Sequence, residues 1–328
     1  MIDYGRALRR LGHEVEVSFW SQSPANVEKV ISSVEREFTL LPHHGRSQLP
    51  LSATDFDAGY FIKSGERDGL VLPNGRSLVH AVFQNYDPHG TRYSYISRWL
   101  GNSVRDKVFS KEGRQRGLPE RGREAERYGC ANALSFDHLD LIVDTSPPQH
   151  GIRAELGIPE EAFVILRFGG WDTFDIEWVH EIVESELDKH PDWFFVGLNT
   201  RPFTEHSRAR FIPMVMDPVE KSSIIASANV FLTARGQGEA FGVAVAEALQ
   251  IGIPVLAWNG GTDQAHIDML QGLGGLFRRP LDLRWRLRRL AKGNDPSSTS
   301  ARQERGNSFR PDAVAPELLR QLAPADNM

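Results

Sequence analysis

Residues 229–261 read NVFLTARGQGEAFGVAVAEALQIGIPVLAWNGG, and the fold is decided there. NVFLTA (229–234) is a run of β-formers and reads as a strand, and a glycine-rich loop follows it. AFGVAVAEALQIG then has helical character and is stopped by Gly252. IPVLAWN (253–259) is a second strand, ending at the pair Gly260 and Gly261. A strand, a glycine loop and a helix in that order make an anion site. The helix N-terminus offers unpaired N–H groups and the positive end of its dipole, and glycine lets the backbone come close to a phosphate.

Two kinds of phosphorylated ligand fit such a loop. Gly236, Gly238 and Gly242 give G-x-G-x-x-x-G, one residue longer than the dinucleotide fingerprint. That fingerprint also needs an acid at the end of the next strand to hold a ribose, and IPVLAWN ends in Trp258 and Asn259. A hydride-transferring oxidoreductase is therefore disfavoured. Glu239 and Glu247, eight residues apart, point elsewhere. On a continuous helix they would be separated by roughly 12 Å of rise, which sets one carboxylate near each end of a bound diphosphate. A carboxylate accepts two hydroxyl hydrogen bonds at once, so one could hold a sugar and the other a ribose.

Outward from this stretch, the second half of the chain alternates strands and helices. AFVILRFGG (162–170), WFFVGLNT (193–200) and RFIPMV (210–215) read as strands, and DIEWVHEIVESELDKH (175–190) and DPVEKSSIIASA (217–228) as helices. This order predicts a nucleotide-binding sheet with its ligand at the carboxyl ends of the strands. The first half reads as a helix ending at Gly12, strands at 14–20, 37–41, 58–64, 77–83 and 92–97, and a helix from Arg98. The fold class is α/β with two Rossmann-like domains. The first, residues 1–150, reads as lacking its first strand, because the chain opens inside what looks like its first helix. The polar, glycine-containing stretch 109–137 reads as an exposed insertion. The donor-side domain covers 151–292, and 293–328 reads as a flexible tail.

With 38 basic and 43 acidic residues the net charge is −5, so no overall excess of positive charge suggests nucleic acid as a partner. The single cysteine, Cys130, forbids an internal disulfide and fits a reducing compartment. No apolar stretch has the length of a membrane span. A cytoplasmic protein is expected, and peripheral membrane contact stays compatible with the sequence.

The block from Asn229 to Ile267 resembles the donor segment of GT-B retaining glycosyltransferases of family 4 type, through Glu239, Phe241, Gly242, Glu247, Ala248, Gly252, Pro254, Val255, Gly260 and Gly261. DYGRALRRLGHEVEV is similar to the first helix and second strand of such enzymes, and YFIKSGERDGLVLPNGRSLVHAVFQNYDPHG, RYSYISRWL and RFGGWDTFDIEWVHEIV resemble a viral and bacterial branch of them. The resemblance implies transfer of a sugar, with retention, from a nucleotide-diphosphate sugar to a hydroxyl of a glycan or other acceptor, without a metal or other cofactor. It implies that Glu239 contacts the donor sugar, Glu247 the ribose, the amides of Phe241 and Gly242 the diphosphate, and Arg167 the phosphates. His80 would face the donor sugar, with His89 a second candidate. The lysine expected about six residues after Arg167 is missing, since Thr173 stands there; Arg235 or Lys221 would have to replace it. A non-catalytic remnant of a transferase and a nucleotide-sugar epimerase are the remaining alternatives.

Overall fold

The computed structural model describes residues 2–24, 26–44, 49, 56–72, 75–149 and 151–323. The chain divides into two compact units, Met1–Ile142 with Pro311–Met328, and Val143–Arg310. The sequence places this boundary at residue 150, which lies outside the described residues.

The first unit contains α1 (Ile2–Arg10), β1 (Glu16–Trp20), α2 (Glu28–Glu35), β2 (Thr39–His43), β3 (Ala58–Lys63), β4 (Arg76–Ala81), β5 (Arg92–Tyr95), α3 (Arg98–Phe109), α4 (Lys111–Gln115) and α5 (Leu118–Arg127). β1 pairs with β2, and β3, β4 and β5 form a second sheet; every pairing is parallel. No described strand precedes α1. That helix buries Tyr4 and Ala7, while Asp3 in its first turn and Arg9 and Arg10 in its last complement the helix dipole.

The second unit contains β6 (Phe163–Phe168), α6 (Glu177–Lys189), β7 (Trp193–Leu198), β8 (Ala209–Ile212), α7 (Pro218–Ala226), β9 (Val230–Thr233), β10 (Gly238–Glu239), α8 (Val243–Ile251), β11 (Val255–Trp258), β12 (Asp263–Gln264), α9 (Ala265–Met269), β13 (Leu276–Phe277), α10 (Pro280–Ala291) and α11 (Thr299–Asn307). Its main sheet runs β8-β7-β6-β9-β11-β13 and is parallel throughout. The chain starts at central β6, winds outward to β8, returns beside β6 as β9 and winds outward the other way, which is the doubly wound order. β6, β7 and β9 are buried at every residue, so they need continuous apolar runs rather than alternation. α6 packs Val179, Ile182, Val183 and Leu187 into this core, and α10 adds Leu283 and Leu287. Truncating Leu187, which has no exposed surface, would cost about 2–5 kcal/mol. α7 begins as expected from Asp217, whose carboxylate accepts from the amides of Val219 and Glu220 at 2.8 Å each.

Two sequence expectations are overturned. Residues 109–137 are not a loop, because α4 and α5 lie within them. Gly113 and Gly122 serve close packing there: a Cβ at Gly113 would strike the Lys107 and Val108 carbonyls, and one at Gly122 the Tyr86 hydroxyl. The stretch from 293 is not a flexible tail either. It forms α11, and then α12 (Pro311–Leu322), which belongs to the first unit. In α11 the buried Arg302 donates to the Gly252 carbonyl and pairs with Asp295 at 2.6 Å. Val314, Ala315 and Leu318 of α12 join Tyr4, Leu78 and Leu139 in the core of the first unit. Residues 324–328 lie outside the described residues.

Candidate functional site

In a doubly wound sheet the crevice opens where the winding reverses, at the carboxyl ends of β6 and β9. Arg167 is the next-to-last residue of β6. It is only 1% exposed, and of its three guanidinium nitrogens only Nη2 is engaged, donating to Thr173 Oγ1 at 2.7 Å. Nε and Nη1 are buried with no hydrogen-bond partner. Burial pulls its pKa down to about 10, opposed by Glu239 and assisted by Arg235, so it remains a cation at neutral pH. Leaving buried donors of a charged group unmade is costly. Such a group is expected where an anion completes it.

β9 leads into the glycine loop, whose path is fixed on both sides. The Gly236 amide donates to Asp175 Oδ1 at 2.6 Å. Residues 238–239 form β10 and pair in parallel with β12, and Gln237 Nε2 donates to Asp263 Oδ2 at 2.9 Å. Gly238 has φ of 81°, and a Cβ there would strike the Asp263 carbonyl; no other residue fits. Gly242, with φ of 101°, is the N-cap of α8. Phe241 is buried and packs edge-on against Phe309 with ring centroids 5.3 Å apart. Its side chain anchors the loop and orients the backbone at the start of α8.

α8 begins at Val243, so Glu239 lies in β10 rather than on the helix. The 12 Å helical separation inferred from the spacing therefore does not apply. Each glutamate instead meets a cation. Arg235 Nη1 lies 3.3 Å from Glu239 Oε2, and Lys221 Nζ lies 2.6 Å from Glu247 Oε1. Lys221 also stands 5.6 Å from the centre of the Phe168 ring, immediately after Arg167. The unit thus brings Arg167, Glu239, Phe241, Gly242 and Glu247 together with Arg235 and Lys221.

His80 belongs to the other unit and is a correction. It has no exposed surface, and both ring nitrogens are engaged within 2.6 Å, Nδ1 with the Tyr60 hydroxyl and Nε2 with the Leu139 carbonyl. A carbonyl only accepts, so Nε2 carries the proton and Tyr60 donates to Nδ1. Burial holds the pKa down to about 4, and the ring is a neutral packing element with no lone pair or N–H for a substrate. His89, in the loop after β4, donates from Nδ1 to the Asp87 carbonyl at 2.7 Å and keeps a buried Nε2 without a partner.

Asp175 and His266 were not singled out from the sequence. Asp175 carries a legible signal, an acid five residues past a Gly-Gly turn, but its role depends on a loop 61 positions away. His266 is buried beside the loop; Nε2 donates to the Trp258 carbonyl at 2.9 Å and Nδ1 has no partner. Among the described residues no group of three or more His, Cys, Asp or Glu side chains is placed to hold a metal ion, and no helix is long and apolar enough to cross a membrane.

No protein-family model and no curated protein matches the chain by sequence. Solved structures match it by fold. The glycosyltransferase from Rickettsia africae ESF-5 aligns with a TM-score of 0.66 at 12% identity, over 98% of this chain and 92% of that one. Anabaena Alr3699/HepE in complex with UDP and glucose aligns with a TM-score of 0.63 at 13% identity, over 98% and 94%. The spinosyn forosaminyltransferase SpnP gives 0.59 at 15% identity, over 98% and 95%. The chain has the mixed α/β GT-B fold with parallel sheets that these transferases share.

Proposed function

We propose that the chain is a glycosyltransferase, similar to the retaining GT-B enzymes of family 4, that moves a sugar from a nucleotide-diphosphate donor to a hydroxyl of a glycan or other acceptor. The observation that carries this reading is Arg167, a buried cation with two unmade donors beside a glycine loop and a helix N-terminus. A diphosphate is the ligand that such a group completes. The UDP bound by the Anabaena protein is a nucleoside diphosphate, the leaving group of such a donor.

In this reading the first amides of α8 and Arg167 hold the diphosphate, Glu247 binds the ribose and Glu239 the donor sugar. The bond between the anomeric carbon and the diphosphate oxygen breaks while the acceptor oxygen bonds to the same face of that carbon. The acceptor's proton ends on the departing diphosphate. Charge developing on the leaving group is met by groups already in place, which is how such sites lower barriers. Arg235 takes the place of the lysine absent at Thr173: it exchanges its partly buried partner Glu239 for the diphosphate, and that exchange releases the carboxylate to the sugar hydroxyls. The reading needs no metal, no organic cofactor and no catalytic part for His80. Cys130, a buried thiol pushed up to about 12 by burial, suits a reducing cytoplasm.

Calorimetric titration of the full chain with UDP, UDP-glucose and other nucleotide sugars tests the donor site, with Arg167→Ala and Glu247→Ala beside it. One sugar nucleotide should bind, and both variants should lose it. A folded chain that binds none of them would sink the reading. Binding without transfer to any acceptor would leave a donor-binding protein that is not an enzyme, and the anomeric configuration of a product would decide retention.

A further inference from the structure

On the far edge of the second unit, away from the glycine loop in sequence, residues 278–292 read RRPLDLRWRLRRLAK. Seven of these fifteen residues are basic and one is acidic, in a chain whose net charge is −5. α10 is anchored from within. Leu283 and Leu287 are fully buried, and Arg284 and Arg288 clamp the buried carboxylate of Glu186 at 2.8 and 2.7 Å. Arg286 pairs with Asp282 at 2.8 Å and donates to the Gly274 carbonyl. Those three arginines are structural.

The outward face is different. Leu281 is 79% exposed and Trp285 is 52% exposed. With Arg289 they recur every four residues and form one stripe. Arg289 lies over the indole, 4.7 Å from the ring centre. Arg278 and Arg279 stand at one end of the stripe and Lys292 at the other, all exposed. None of these four basic residues is ion-paired among the described residues. Beside Trp285 an open groove of about 270 Å³ has an apolar floor that includes Pro254, Leu256, Leu270 and Leu290. A merely solvated charged helix would not expose a tryptophan, a leucine and an apolar groove among its cations. Cations surrounding accessible apolar area match a surface that is anionic outside and hydrocarbon beneath.

We infer that the outer face of α10 docks the protein on an anionic lipid bilayer. Arg278, Arg279, Arg289 and Lys292 meet the headgroups, and Leu281 and Trp285 enter the interface. The inference is independent of the donor site, because none of these side chains takes part in it.

The test is co-sedimentation of the full chain with vesicles of phosphatidylcholine alone or with added phosphatidylglycerol, with heparin binding measured in parallel. Two variants accompany it, Arg278→Gln/Arg279→Gln/Lys292→Gln and Leu281→Gln/Trp285→Gln. All five side chains point outward, and circular dichroism checks that both variants fold. The wild type should bind only the phosphatidylglycerol vesicles. The triple charge variant should lose roughly a hundredfold in partitioning, as expected from three basic contacts with a charged surface, and should lose heparin as well. The double apolar variant should lose about tenfold on vesicles while binding heparin normally. Absence of vesicle binding, or equal binding to both lipid compositions, would overturn the inference. So would an apolar variant that binds vesicles like the wild type, which would make α10 a bare polyanion site for a nucleic acid or an acidic protein.

Discussion

Arg167 and His80 are the same kind of residue by position and opposite kinds by chemistry. Each is a basic side chain next to the last residue of a central parallel strand, and each is shut away from solvent. His80 is closed on both sides by Tyr60 and Leu139 and has been driven neutral. Arg167 keeps its charge and leaves two nitrogens unbonded. A buried polar group whose bonding is complete serves the core, whereas a buried cation whose bonding is incomplete is where an anion is expected. Burial alone does not separate them; the count of unmade bonds does.

The contrast breaks most visibly at Arg167. Arg167→Met should cost about 3 kcal/mol of nucleoside-diphosphate affinity, a loss of roughly a hundredfold or more by calorimetry. Its melting temperature should hold or rise, because an unpaired buried charge is replaced by an apolar chain. A large fall in stability with affinity intact would reverse the assignment. Acid should act on the other side of the comparison. The folded His80 titrates near 4 against 6.5 for an ordinary histidine, so on acidification the unfolded chain takes up its proton first. The contribution is therefore fully present above pH 6.5 and is lost between 6.5 and 4, by about 3 kcal/mol. Denaturant melts across that range should show a slope in the wild type that is reduced in His80→Gln, the remainder coming from His89, His180 and His266, which burial also holds below the ordinary histidine value. At pH 7, His80→Ala should destabilise the fold by about 2 kcal/mol, since it strands the Leu139 carbonyl and opens a cavity. Nucleotide affinity should be unchanged in that variant. The smallest effect is expected at Lys221→Met. Its ion pair with Glu247 is partly exposed, so donor affinity should fall by only about fivefold, near 1 kcal/mol.

What the sequence discloses follows from how local each cause is. β6, β7 and β9 are legible because strands covered on both faces carry unbroken apolar runs. The donor loop is legible because three glycines and two glutamates sit within twelve residues. Arg167 is legible as the end of a buried strand, but its unmade bonds are not, because they depend on what fails to approach it. His80 misleads for the same reason. Its neutrality comes from burial, and its ring nitrogens are closed by Tyr60 and by Leu139, 59 positions away. The helices between 109 and 137 are hidden because glycine signals turns in sequence, whereas Gly113 and Gly122 are there for close approach. α11 and α12 are hidden because a polar, arginine-rich segment resembles a linker until the buried partners of Arg302 and Leu318 are known.

The return of α12 to the first unit bears on how the chain is made. A ribosome delivers Tyr4, Leu78 and Leu139 before the second unit, but Val314, Ala315 and Leu318, which share their core, leave the exit tunnel only after it. The second unit, continuous from Val143 to Arg310, is complete before them and can fold while the first still waits with part of its apolar surface uncovered. The usual order of N-terminal domain first is thereby inverted between these two units, and the one begun earlier is finished later.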